Sequence, residues 1–294
     1  MTPSEFLQTI FHATNNHFSY IWSRTNDNNR KRTTSFKTSE TDSLIKITQS
    51  LNENQLNVSF SMGLLNHPLG TYQRAKDIDI VAIPCLWIDI DVASPVHGQS
   101  QKLVPSIEEA IQLLPADLYP SIIVNSGYGI HAYWIFENLF EINSDADRKR
   151  IKSMLEMLQA IIRSNAGEYF IDPTADLSRM LRLPGTYNWK SGNKNDAPIC
   201  QVIEASGELF SVESIEETLN KLKPNPKTEN PRQISKDQME YLSSRKNSTT
   251  NPASNLDPAE KLFDNCAFCR YCRDNIQTLS QPDFVNFFPN LLQA

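Results

Sequence analysis

One segment constrains this chain more than any other. It is Leu86-Trp87-Ile88-Asp89-Ile90-Asp91-Val92, an apolar run that carries two carboxylates two residues apart. Its β-branched and aromatic residues predict a strand. Side chains alternate faces on a strand, so Leu86, Ile88, Ile90 and Val92 point one way and Trp87, Asp89 and Asp91 the other. Two like charges side by side on a largely buried strand repel each other and lose hydration. A divalent cation relieves both costs, and hard oxygen ligands suit Mg²⁺ or Mn²⁺. Taken alone, the pair also fits a solvated edge strand with two acidic residues.

A second motif follows, Asn125-Ser126-Gly127-Tyr128-Gly129-Ile130-His131-Ala132-Tyr133-Trp134-Ile135-Phe136. The apolar stretch Ser121-Ile122-Ile123-Val124 runs into a glycine turn, and a second strand leaves it from Ile130. Glycine permits close backbone approach to a ligand. On the outgoing strand His131, Tyr133 and Ile135 share one face. A histidine after a Ser-Gly-x-Gly turn sits where backbone N–H groups and an imidazole converge on an anion, which favours a phosphate contact over a plain core role.

The third motif spans Tyr169 to Lys190: Tyr169-Phe170-Ile171-Asp172-Pro173-Thr174-Ala175-Asp176-Leu177-Ser178-Arg179-Met180-Leu181-Arg182-Leu183-Pro184-Gly185-Thr186-Tyr187-Asn188-Trp189-Lys190. It offers a carboxylate after an aromatic-apolar strand, then two arginines, a Pro-Gly turn, an asparagine and a lysine. Arginine forks match phosphate oxygens and lysine adds a point charge. Arg179 has a second reading, as an ion-pair partner of Asp176. Acids for metal and bases for phosphate are together what phosphoryl transfer needs.

In this order the three motifs resemble the archaeo-eukaryotic primase (AEP) superfamily, most of all the primase-polymerase domains of phage, plasmid and mobile-element replication proteins. The resemblance runs from about residue 60 to about residue 205. It implies that Asp89, Asp91 and a third acid hold two Mg²⁺ or Mn²⁺ ions and that His131 contacts the phosphates of an incoming nucleotide. Asp172 best fits the third acid, with Asp176 as the alternative. It also implies template-directed nucleotidyl transfer, which makes and extends primers on single-stranded DNA from NTPs or dNTPs. Arg182 and Lys190 then neutralise triphosphate charge, Arg179 supports them or faces the template, Asn188 bonds sugar or phosphate, and Ser126 donates to a phosphate oxygen. Repulsion within the acid pair raises one apparent carboxylate pKa, so metal binding weakens as pH falls. Two other classes use the same inventory: a metal-dependent nuclease, and a non-catalytic initiator that only binds single-stranded DNA.

The chain has 294 residues, enough for one large catalytic domain and an appendage. No apolar run is long enough to span a membrane and the N-terminus is polar, so no membrane partner and a cytoplasmic location are expected. The net charge of −6 runs against a nucleic-acid enzyme. Metal ligands account for part of it, and bases cluster at Arg30-Lys31-Arg32, at Arg148-Lys149-Arg150 and from Arg179 to Lys194.

Ser4 is expected to cap a first helix carrying Phe6, Leu7, Ile10 and Phe11. Phe18–Trp22 and 57–62 read as strands, and the polar stretch from Arg24 to Lys37 as a mobile loop. Amphipathic helices are expected at Ser106–Leu114, at Asp145–Asn165 with Ile151, Met154, Leu155, Leu158 and Ile162 inward, and at 211–222 behind a serine cap. Gln201–Ile203 reads as a closing strand. Intermixed strands and helices predict an α+β fold. The resemblance adds a two-part core with a mainly antiparallel, RNA-recognition-like catalytic sheet. The expected division is a catalytic domain at 1–222, a linker with a short helix at 223–255, and a helical segment at 256–294.

That last segment holds Cys266, Cys269 and Cys272. Their spacing fits zinc or an iron–sulfur cluster, one ligand short of a closed site, and equally one buried stripe of a helix. The segment also resembles the start of the helical region in phage-type primase-helicases. That resemblance implies a longer replication protein with a helicase in the same polypeptide.

Overall fold

The computed structural model describes residues 1–14, 16–97, 101–192 and 196–223. The expected helix within the linker, and the cysteine-bearing segment with its metal and helicase readings, lie outside the described residues. In chain order the elements are α1 (Pro3–Ile10), β1 (Phe18–Arg24), β2 (Lys31–Lys37), α2 (Thr41–Glu53), β3 (Asn57–Ser61), β4 (Ala82–Asp91), α3 (Ile107–Gln112), β5 (Ile122–Asn125), β6 (Gly129–Glu141), α4 (Asp145–Ala166), β7 (Met180–Arg182), β8 (Gln201–Ala205) and α5 (Val212–Leu222).

The strands form two four-stranded sheets, β2-β1-β3-β7 and β4-β6-β5-β8, with antiparallel pairing throughout. The fold is therefore α+β with a two-part core, as expected, and the acid-bearing strand lies in the second sheet. There β4-α3-β5-β6 forms a split unit in which β6 inserts between β4 and β5. The closing strand β8 adds beside β5.

Several helix starts follow from local chemistry. Ser144 accepts from Asp147 N at the start of α4, and Ser211 accepts from Ser214 N at the start of α5. Along α4 the expected stripe of Ile151, Met154, Leu155, Leu158 and Ile162 is buried. The first helix differs in its cap. Thr2, not Ser4, is the N-cap, in a reciprocal capping box with Glu5, and Pro3 takes the first helical turn. Ser4 lies one residue inside the helix and hydrogen-bonds Asp42 instead.

Two further expectations are corrected. The stretch from Arg24 to Lys37 is not a loop throughout. Lys31–Lys37 is an edge strand paired along its full length with β1. Its polar residues are held by side-chain bonds that no hydrophobic pattern announces: Thr33 Oγ1 donates to Gln73 O, and Ser35 Oγ accepts from Leu69 N at 2.9 Å. Conversely, Tyr169–Ile171 is not a strand. Isolated bonds satisfy this stretch of backbone in place of a ladder, beginning with Phe170 N, which donates to Lys102 O at 2.8 Å. Trp87 Nε1 donates to Thr174 O at 3.0 Å, Arg163 Nε donates to Ile171 O at 3.3 Å, and the buried Gln159 side chain bonds Thr174.

The two sheets share one core, and Phe6 of α1 ties them together. Its ring lies edge-on to Phe60 of β3 at 5.6 Å and to Tyr133 of β6 at 5.5 Å. Phe6 is fully buried. Phe6→Ala should cost ~3–5 kcal/mol of stability, the usual range for a deleted core phenylalanine, read from the midpoint of urea unfolding.

Candidate active site

The pairing of β4 with β6 sets Asp89 opposite His131, Asp91 opposite Gly129 and Trp87 opposite Tyr133. Directly opposed residues share a face. The imidazole Nε2 of His131 accordingly lies 3.5 Å from Asp89 Oδ1. Gly129 is required by the closeness of the strands, because a Cβ there would meet the Ile90 carbonyl oxygen at 2.2 Å. Gly127 turns the hairpin with φ at 97°.

These residues line one side of a cleft of about 200 Å³. Its walls are Arg24, Asn26, Asn57, Asp89, Asp91, Ser126, Tyr128, His131, Arg182, Asn188 and Lys190. The second sheet supplies the acids and His131, with Ser126 and Tyr128 from the hairpin turn. The first sheet supplies Arg24, Asn57 and Arg182. A larger cleft of about 560 Å³ shares Asn26 and includes Trp189 and Arg30.

Asn57 organises the basic wall. Its Oδ1 accepts from Arg182 Nη1 at 2.7 Å and from Trp189 N at 3.1 Å, and its Nδ2 donates to Asn26 Oδ1 at 2.7 Å. Asn188 joins the two walls. Its Nδ2 donates to Ser126 O at 2.8 Å and its Oδ1 accepts from Lys190 N at 3.2 Å. It is buried and holds both turns in place.

Burial dominates the electrostatics. It pushes Asp89 up to about 6, against the pull of Arg179 and Arg182, while Asp172 adds to the rise. Asp91 is also raised, by burial first and by Asp89 second, with His97 opposing. Burial and then Arg182 depress His131 to about 3, so its imidazole is neutral at pH 7 and its approach to Asp89 is not an ion pair. Burial also lowers Arg182 from its ordinary value, with Asp89 among the groups that oppose the fall.

The cleft thus gathers Asp89, Asp91, Ser126, His131, Arg182, Asn188 and Lys190 from the expected set. It does not gather the other three. Arg179 takes its ion-pair reading: Nη2 lies 2.6 Å from Asp176 Oδ1 and donates to Pro173 O at 2.7 Å. Asp172 is exposed on the loop between α4 and β7, close enough for its charge to bear on both Asp89 and Asp91. Among the described residues, no three His, Cys, Asp or Glu side chains form a ready-made metal cage.

Four wall residues escape a sequence reading: Arg24, Asn26, Asn57 and Tyr128. Only Asn57 carries a signal, as an asparagine opening a strand, a position where asparagine is depleted. A fifth group is His97, whose Nε2 lies 3.3 Å from Asp91 Oδ1. Its one clue is a Ser-Pro turn directly after the acidic strand.

No protein-family model and no curated protein matches the chain. Solved structures do, and one of them gives the fold its class: the chain has the fold of an AEP domain. The AEP domain of the cyanophage S-2L primase-polymerase superposes with a TM-score of 0.50 at 14% identity, over 74% of this chain and 96% of that one. Two structures of primase RepB′ give TM-scores of 0.45, also at 14% identity. The catalytic domain in complex with initiator DNA covers 83% of this chain and 98% of that one, and the second structure covers 98% and 86%.

Asp89 and His131 should pull stability in opposite directions with pH when a chelator is present. Asp89 titrates near 6 when folded against an ordinary 3.8, so its contribution is full below pH 3.8 and is lost as pH rises through about 6. His131 titrates near 3 against an ordinary 6.5, so its contribution is full above pH 6.5 and fades as pH falls toward 3. Asp89→Asn should therefore exceed the wild type in stability at pH 7 and lose that advantage by about pH 4. Urea unfolding at the two pH values checks this.

Proposed function

We propose that the protein is a DNA primase-polymerase, transferring nucleotides to a primer 3′-hydroxyl on a single-stranded DNA template from NTPs or dNTPs. The observation that carries this reading is one cleft on an AEP fold, with two carboxylates on one sheet facing arginines from the other. The cyanophage domain that shares this fold belongs to a primase-polymerase, which supports it.

The donor set fits divalent cations. Asp89 and Asp91 offer hard oxygens from one strand face, and burial and repulsion have raised both carboxylates in a way that nearby positive charge relieves. These two residues would hold Mg²⁺ or Mn²⁺, with Asp172 joining from its loop. When bound, such ions activate a hydroxyl nucleophile and steady a pyrophosphate leaving group.

The remaining roles belong to the chain. Arg182, fixed by Asn57, and Lys190 neutralise the triphosphate. His131 acts as a neutral hydrogen-bond donor rather than a positive charge. Ser126 presents its hydroxyl at the turn, and Asn188 keeps that turn in register with Lys190. At about 200 Å³ the cleft falls below the ~300–1,000 Å³ of pockets that enclose whole small ligands. It suits the phosphates, and the larger adjoining cleft has room for sugar, base or template.

Incubating the protein with single-stranded circular DNA, nucleotides and Mn²⁺ or Mg²⁺ should yield labelled oligonucleotides. Asp89→Asn and Asp91→Asn should each reduce synthesis by on the order of 10³-fold, and Arg182→Ala by about 10²-fold, while leaving the circular dichroism unchanged. Shortened DNA in place of products would assign a nuclease, and DNA binding without products an initiator.

A further inference from the structure

His97 has a geometry that the roles above do not explain. The segment after β4 folds back at once: Ser94-Pro95-Val96-His97 forms a turn with proline at its second position, closed by His97 N donating to Ser94 O at 3.1 Å. Ala93 N donates to Val104 O at 2.8 Å, which pins the far side of the loop. The turn drives the imidazole back against the end of the acidic strand. Its ring packs edge-on against Tyr128 at 6.2 Å. The side chain is only 9% exposed.

Both ring nitrogens are constrained. Nδ1 lies 2.8 Å from the Val92 carbonyl oxygen and 3.1 Å from Ser94 Oγ. A carbonyl oxygen only accepts, so Nδ1 carries the proton. In the neutral ring Nε2 is then a bare lone pair. Among the described residues it has no hydrogen-bond partner, yet it lies 3.3 Å from Asp91 Oδ1. Two acceptors at this distance repel unless a positive centre joins them. The spacing fits a metal, since adjacent donors bonded to one cation at ~2.1 Å lie roughly 3.0–3.4 Å apart. His131 differs, because its Nδ1 faces the Tyr133 hydroxyl at 3.3 Å, and a hydroxyl can donate as well as accept.

We propose that His97 Nε2 is a ligand of the divalent cation at Asp91, bringing a nitrogen donor from the loop after β4 to join the carboxylate oxygens. The inference rests on the reading of Asp89 and Asp91 as cation ligands. It has a chemical consequence. Imidazole favours Mn²⁺ and Co²⁺ over Mg²⁺, whose shell is built from oxygen. The site should therefore prefer Mn²⁺, and His97 should be the residue that sets the preference.

Calorimetric titration of the full chain with Mn²⁺ and separately with Mg²⁺ tests this. His97→Ala should weaken Mn²⁺ binding by ~10–100-fold and Mg²⁺ binding by less than about threefold, so the ratio of affinities collapses. A second measurement does not depend on that variant folding. In ¹⁵N-histidine-labelled protein, Co²⁺ should shift one imidazole N–H resonance paramagnetically, and that resonance should persist in His131→Gln. Unchanged Mn²⁺ affinity in His97→Ala, equal weakening of both metals, or the absence of a Co²⁺-shifted imidazole in the wild type would each overturn the proposal. Equal weakening would mean that His97 only positions Asp91, and tighter binding of both metals, which overturns the proposal equally, that a shared proton joins the two. Asp91→Asn separates this inference from the reading beneath it. Mn²⁺ binding retained in Asp91→Asn sinks both, whereas its loss there with full retention in His97→Ala sinks the His97 ligand alone.

Discussion

The structure turns on a local electrostatic conflict: two carboxylates held on one face of a strand whose neighbours are almost all buried. Pairing β4 to β6 fixes that face and leaves Asp89 opposite a neutral imidazole that cannot compensate its charge. Gly129 permits the strands to come this close. The aromatic core beneath, with Trp87, Tyr133 and Trp134 fully buried, prevents either strand from slipping its register. The acid pair is thus kept in an unfavourable setting by packing that cannot relax.

Compensation comes from outside the second sheet, from Arg179 and Arg182 above all. Arg24, Asn57 and Arg182 belong to β1, β3 and β7, elements that never pair with the acidic strand. Asn57 makes the link, since one side chain bonds Arg182, Trp189 N and Asn26 together. A net charge of −6 is compatible with anion binding for the same reason. The field inside the cleft is set by the local wall of bases, and the Debye length confines the influence of distant acids to about 8–10 Å in ordinary salt.

Much of this is legible in the order of residues alone. Alternation along Leu86–Val92 puts Asp89 and Asp91 on one face, and the Ser-Gly-x-Gly turn predicts the hairpin that carries His131; the pairing of that hairpin with the acidic strand is a tertiary event. The α4 stripe and the serine cap of α5 follow from the same local rules. The failures share a cause as well. Lys31–Lys37 lacks a hydrophobic alternation because it is an edge strand, stabilised by its ladder and by bonds to residues 69 and 73. Tyr169–Ile171 has the composition of a strand, yet its hydrogen bonds go singly to Ala166, Lys102 and Arg163 and not to a neighbouring ladder. Arg179 fits two roles by its sequence neighbours, and the loop's own Asp176 takes it.

Which residues carry charge, which strand face the acids occupy and where the glycine hairpin turns can all be read from the order of residues. Those features depend on backbone periodicity and on neighbours a few residues apart. That Arg24 and Asn57 line the same cleft as Asp89, that Asn188 commits its amide to a turn and that His97 folds back onto Asp91 are products of the fold. Each of these meetings joins groups through packing between separate elements, and no local pattern encodes the distance between two side chains that the core alone brings together.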